Sequence, residues 1–167
     1  MTDVPLSPTS LARDPAEPAR STTGGPAPGG GDEIAHLEQL HTRLLDTLAG
    51  HDTLLERVEA ADREPVEAFE SLYRSHLARV QGLLGALGQT PAEGGSLAAP
   101  LNRAAAVLRV WLDSDGARAA LMSGAEAVLK DLEVAIDASP SPERKGALSG
   151  MRDELTELLQ RHLAPVL

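Results

Sequence analysis

What most constrains this chain is the step of three or four residues between its apolar positions, held over long stretches. From Asp32, a plausible N-cap, the residues Ile34, Leu37, His41, Leu44, Leu48, His51, Leu55 and Val58 fall along one helical stripe. A short break at residues 62–64 precedes Pro65, which suits a first helical position because its missing N–H would have no intrahelical partner there. The same spacing then resumes through Val66, Phe69, Tyr73, His76, Val80, Leu83 and Leu87. It stops at Gly88, where a left-handed cap costs little, and Pro91 prevents it from resuming. So short a break requires the two helices to fold back on each other as an antiparallel hairpin.

A second hairpin follows at a distance. Ser114 or Asp115 caps a stripe of Leu121, Ala125, Val128, Leu132 and Ala135, and Ser141-Pro142 opens another through Leu148, Met151, Leu155, Leu158 and His162. Between the hairpins, Ser96 can cap a helix through Leu97, Leu101, Ala104, Leu108 and Leu112, with Trp111 beside the stripe and Pro100 weakening only its first turn. At about 1.5 Å per residue that segment is about as long as a bundle. The pattern thus predicts helices over about 33–61, 65–87, 97–112, 116–137 and 142–164, all-α, as two antiparallel hairpins joined by a crossover connection that carries an extra helix. This is the ferritin-type form of the four-helix bundle. Gly50-His51-Asp52 and Gly124-Ala125-Glu126 echo each other in the first helix of each hairpin, as a duplicated hairpin would.

Composition sets the outer limits. Residues 1–31 hold six of the twelve prolines and five of the fifteen glycines with scattered apolar positions, so they read as a disordered tail before a domain over 32–167. The N-terminus shows no basic stretch followed by an apolar run, and nowhere do about eighteen apolar residues run together, which points to the cytoplasm with no membrane partner. With 15 basic against 25 acidic side chains, a formal charge of −10 disfavours nucleic acid. The absence of cysteine excludes disulfides, thiolate metal sites and cysteine nucleophiles. No Gly-x-Ser-x-Gly elbow and no Gly-Lys phosphate loop is present, so hydrolase and nucleotide-binding readings have no foothold.

Four segments, LLDTLAGHDTLLERVEAAD, FESLYRSHLARVQGLLGALG, GGSLAAPLNRAAAVLRVWL and GAEAVLKDLEVAI, carry a resemblance. In order and spacing the chain resembles a bacterial ferritin-like four-helix-bundle family of unknown function, distantly related to rubrerythrin. The resemblance spans about residues 34 to 164, and its most specific part is the Gly-Ser-Leu-Ala turn with Leu101 and Arg103. It implies the fold, and fold alone does not fix function. Metal-binding ferritin-like proteins carry a Glu on the first and third helices and Glu-x-x-His on the second and fourth. Here the second helix reads Tyr73-x-x-His76, and His162 follows Leu159 near the chain end, so a complete di-iron set is not present.

One constellation remains. Counted from a break near residue 63 or 64, His51 and His76 lie about twelve residues away on either side, at the same height and both on the seam. With Tyr73 they form a polar core layer, and Glu126, Asp153, Glu154 and Glu157 reach roughly that level. In one reading each imidazole is hydrogen-bonded to Tyr73, Asp52 or Glu126 and fixes helix register. In another, His51, Asp52, His76 and Glu126 hold a single divalent ion, Fe, Mn or Zn. A working oxidase centre lacks its bridging carboxylates. His36 and His41 lie too far along the helix to join and are expected to be partly exposed, and Glu126 fits the flank better than the seam. The expected function is a non-catalytic protein-interaction or stress-associated bundle, with Trp111 and Leu108 as anchors for a second copy or a protein partner. The alternative is a divergent metal-binding bundle.

Overall fold

The computed structural model describes residues 30–91 and 114–163. Within them the chain forms four helices and no strand: α1 (Gly30–Leu55), α2 (Ala60–Ala86), α3 (Ser114–Ala138) and α4 (Pro142–Leu163). The expected tail over 1–31, apart from its last two residues, and the expected helix over 97–112 with Leu108 and Trp111 lie outside the described residues.

The ends of the helices follow local chemistry. Ser141 caps α4, its Oγ accepting from the Arg144 N–H at 3.3 Å, and Pro142 takes the first helical position. The end of α2 is a Schellman turn: the Gln89 N–H reaches Leu84 O at 2.9 Å, the Gly88 N–H reaches Gly85 O at 3.0 Å, and Gly88 has φ 76°. Asp32 does not cap α1, because the helix already begins at Gly30. It sits with Glu33 in the first turn, where carboxylates favour the helix dipole.

The first hairpin turns earlier than its spacing predicts. α1 closes at Leu55 rather than near residue 61, and Arg63 Nη2 donates to the Leu55 carbonyl at 3.2 Å. α2 begins at Ala60, so Pro65 stands inside it and leaves the Ala61 carbonyl without its helical donor. The register is unaffected. His41 faces Gln81, His51 faces Tyr73 and Asp52 faces Arg74, which makes the two helices antiparallel about residue 62.

Other cross-links order the remaining helices. Glu33 meets Ser139, Arg43 meets Asp131, and Thr47 approaches Gly124, so α1 and α3 are antiparallel. Arg79 reaches the Ala147 carbonyl while His76 reaches Glu154, so α2 and α4 are antiparallel too. α2 and α3 therefore run in the same direction. The shared core is mainly aliphatic, with one phenyl ring: Leu37, Leu40, Leu44 and Leu48 from α1, Val66, Phe69, Val80 and Leu84 from α2, Leu121, Val128 and Leu132 from α3, and Leu148, Met151, Leu155 and Leu158 from α4. Leu55, Val58, Leu83 and Leu87, expected on the stripes, only partly reach it, and Leu163 is buried where His162 was expected. Among the described residues no helix is long and apolar enough to cross a membrane.

Candidate functional site

Three polar side chains stand inside this aliphatic core, His51 from α1 and Tyr73 with His76 from α2. Tyr73 and His76 have no exposed surface, and His51 is 5% exposed. Tyr73 and His76 share a face of α2 because they are three residues apart. His51 packs edge-on against Tyr73, the ring centroids 5.3 Å apart at 78°. By the hairpin register His76 lies opposite Leu48, less than a helical turn from His51, at about 4.5 Å along the axis.

The partners of the imidazoles fix their tautomers. His51 Nδ1 is 2.8 Å from the Thr47 carbonyl. A carbonyl only accepts, so the ring proton is on Nδ1 and Nε2 carries a lone pair turned away from its own helix. His76 Nε2 is 3.0 Å from Glu154 Oε2, an ionised carboxylate that only accepts, so this ring carries its proton on Nε2 and its lone pair on Nδ1. Burial is the largest influence on both rings and pushes their pKa values below the usual imidazole range, with the Thr47 carbonyl and Glu154 opposing it. Burial also raises the Tyr73 phenol well above its ordinary range, so it stays protonated. His51 Nε2, His76 Nδ1 and Tyr73 Oη find no hydrogen-bond partner among the described residues.

The expected carboxylates are not brought to this layer. Asp52 is 66% exposed and pairs with Arg74 at 3.5 Å on the surface. Glu126 lies on the exposed face of α3, one position past the buried Ala125. Of the four acidic residues expected at this height only Glu154 touches the layer, and it does so from outside, held also by Arg79 at 2.7 Å. Its pKa is lowered by Arg79 first and by His76 second. No group of three or more His, Cys, Asp or Glu able to hold a metal occurs among the described residues. The described residues therefore do not fit a di-iron centre. Two neutral nitrogens and a phenol can offer hydrogen bonds and nitrogen ligation, but no bridging charge.

Among the described residues, four further polar residues are buried: Glu33, Asp131 and Ser139, which stand outside the expected stripes, and His41, which stands on one. His41, expected to be partly exposed, is 5% exposed and accepts from Gln81 Nε2 at 3.3 Å. Glu33 is buried and takes Arg144 through two hydrogen bonds, 2.7 and 2.9 Å, along with the Ser139 hydroxyl. Asp131 takes Gln39 and Arg43, each at 2.9 Å. A signal for the Glu33 latch was available: Glu33 is four residues before Leu37 and Arg144 four before Leu148, so opposite charges continue two apolar seams toward the same end of the bundle.

Neither a curated protein nor a solved structure matches the chain. One family model does, over residues 32–138, which takes in the first hairpin from the third residue of α1, with the His51–Tyr73–His76 layer, and continues to the end of α3. The chain belongs to the family described as Domain of unknown function (DUF2383).

Proposed function

We propose that this chain is a ferritin-like four-helix bundle without a di-iron site, acting in the cytoplasm as a non-catalytic protein-interaction module. The order of the helices supports the ferritin-like reading: each pair of neighbours is antiparallel while α2 and α3 run alike, as in two hairpins joined by a full-length crossover. The observation that carries the rest is the position of Asp52 and Glu126. Both are exposed, so neither charge joins the interior layer, which Glu154 touches only from outside. Trp111 and Leu108 remain the proposed anchors for a second copy or another protein, and Met122 on α3, 41% exposed, is a large apolar side chain presented to solvent. Trp111 is the chain's one tryptophan, so its emission reports on the proposed contact. Sedimentation of the full chain across concentrations, with emission recorded in parallel, tests the reading. Association that shifts the emission and is lost in Trp111→Ala supports it. A monomer at every concentration from which no partner is recovered contradicts it.

One observation favours a second reading, a single divalent ion between α1 and α2. His51 Nε2 and His76 Nδ1 are bare, and the opposite nitrogen of each ring is held by a carbonyl or a carboxylate, the arrangement that orients metal-binding imidazoles. Metal analysis of protein purified without a histidine tag decides it. A stoichiometric ion and a melting temperature lowered by chelator support this reading, whereas a metal-free protein whose stability ignores added Fe, Mn or Zn contradicts it.

A further inference from the structure

The three unpartnered atoms of the buried layer are complementary in kind but unequal in number. His51 Nε2 and His76 Nδ1 are acceptors, because their tautomers are set by Thr47 and Glu154. Tyr73 Oη is the donor available to them, since burial keeps it protonated. One donor cannot serve two acceptors. Nor does it serve either directly, because the edge-on packing of His51 against Tyr73 sets ring edge against ring face and leaves the hydroxyl bonded to neither nitrogen. Each such atom left bare in a core is destabilising, because it has given up its hydrogen bond to water without a replacement.

We infer that His51, Tyr73 and His76 form a binding site for one small neutral molecule with two polar hydrogens and a lone pair, and that its occupant is a structural water. A water there accepts from Tyr73 Oη and donates to His51 Nε2 and to His76 Nδ1. Three hydrogen bonds are what a buried water ordinarily makes, and its two hydrogens supply the donors that the layer is short of. The site selects against anions, which bring no donor to two lone pairs. It also selects against divalent cations, because Glu154, the carboxylate hydrogen-bonded to the layer, is engaged by His76 Nε2 and Arg79 rather than turned to the two bare nitrogens. The water joins α1 to α2 where no direct hydrogen bond between these three side chains does so. This inference is independent of the interaction reading and competes with the single-ion reading.

The test is a crystal structure of the chelator-treated full-length protein at better than about 1.5 Å, with anomalous data collected at the iron, manganese and zinc edges. The expected result is one density peak at about 2.7–3.2 Å from all three atoms, without anomalous signal. A peak with anomalous signal at about 2.0–2.1 Å from the two nitrogens overturns the inference in favour of a metal. No peak, with Tyr73 Oη bonded directly to an imidazole, overturns it in favour of a closed side-chain network. In solution, cross-relaxation between water and the ring protons of His51 and His76 tests the same point: its presence in the metal-free protein supports the bound water, and its absence contradicts it.

Discussion

His76 Nε2 lies 3.0 Å from Glu154 Oε2, and Arg79 Nη1 holds the same oxygen at 2.7 Å, so an imidazole with no exposed surface is tied to the outside of the bundle through one shared acceptor. This arrangement sets the tautomer of the ring and thereby the character of the buried layer.

Removing the acceptor should cost more than removing the ring. Glu154→Ala strands a buried N–H and is expected to lose about 1–3 kcal/mol in urea unfolding. His76→Leu fills the site with an apolar group, so it should cost less and can raise stability, at the expense of a single well-ordered packing. The double variant should fall short of the sum, because the two side chains share one interaction. A Glu154→Ala effect smaller than that of His76→Leu contradicts this account.

The latch at the start of α1 should be strongly asymmetric. Arg144→Leu leaves the buried Glu33 carboxylate with only Ser139, and about 3 kcal/mol is expected to be lost. Glu33→Gln removes the charge as well, and the partly exposed Arg144 can turn to water, so a smaller loss is expected. Hydrogen exchange at the first turns of α1, compared between the variants, checks the location of the effect.

Acid should unfold the bundle in two stages. His41, His51 and His76 have folded pKa values below the ordinary 6.5, chiefly through burial, so the unfolded chain binds more protons and their contribution is lost as pH falls below 6.5. Glu33 and Glu154 lie below the ordinary 4.5, chiefly through Arg144 and Arg79, and their contribution is lost only as pH falls below that value. At the alkaline end, the raised Tyr73 phenol removes stability as pH rises past 10.0, where the unfolded phenol ionises first. Urea midpoints should therefore drop between pH 7.5 and 5.5. The drop should shrink in variants that replace these histidines by Leu.

The same substitution at two glycines of the second helix region should act with opposite sign. Gly88→Ala puts a side chain at φ 76° with nothing within 4 Å of the new Cβ, so the cost is conformational and about 1 kcal/mol. Gly82→Ala lies inside α2, exposed and equally free of contacts, and should gain up to about 1 kcal/mol. Thermal melts of the two variants suffice to test this.

Much of the helical frame was legible because the step of three and four is itself the signature of a buried helix face. Tyr73 and His76 were visible as seam residues on that ground, and His51 was placed against them by counting. The hairpin's turning point is hidden in the sequence: Pro65 looks like a helix start, yet it sits inside α2, where its missing N–H costs a single bond near the helix end. The ligand set failed for a different reason. Asp52 follows a seam residue directly, and a one-residue step on a helix turns a side chain by about 100°, far enough to reach Arg74 on the surface. Glu33 and Asp131 were hidden because a carboxylate on a helix reads as solvated until its partner on another helix is known. Arg144 and Arg43 supply those partners across distances in sequence that spacing does not encode.

The central claim, that the layer is neutral and presents two inward lone pairs, is tested most directly by long-range proton–nitrogen NMR of the imidazoles at pH 7.5. The account predicts two neutral rings of opposite tautomer, protonated on Nδ1 at His51 and on Nε2 at His76. An imidazolium at either position, or a proton on His51 Nε2 or His76 Nδ1, would contradict it.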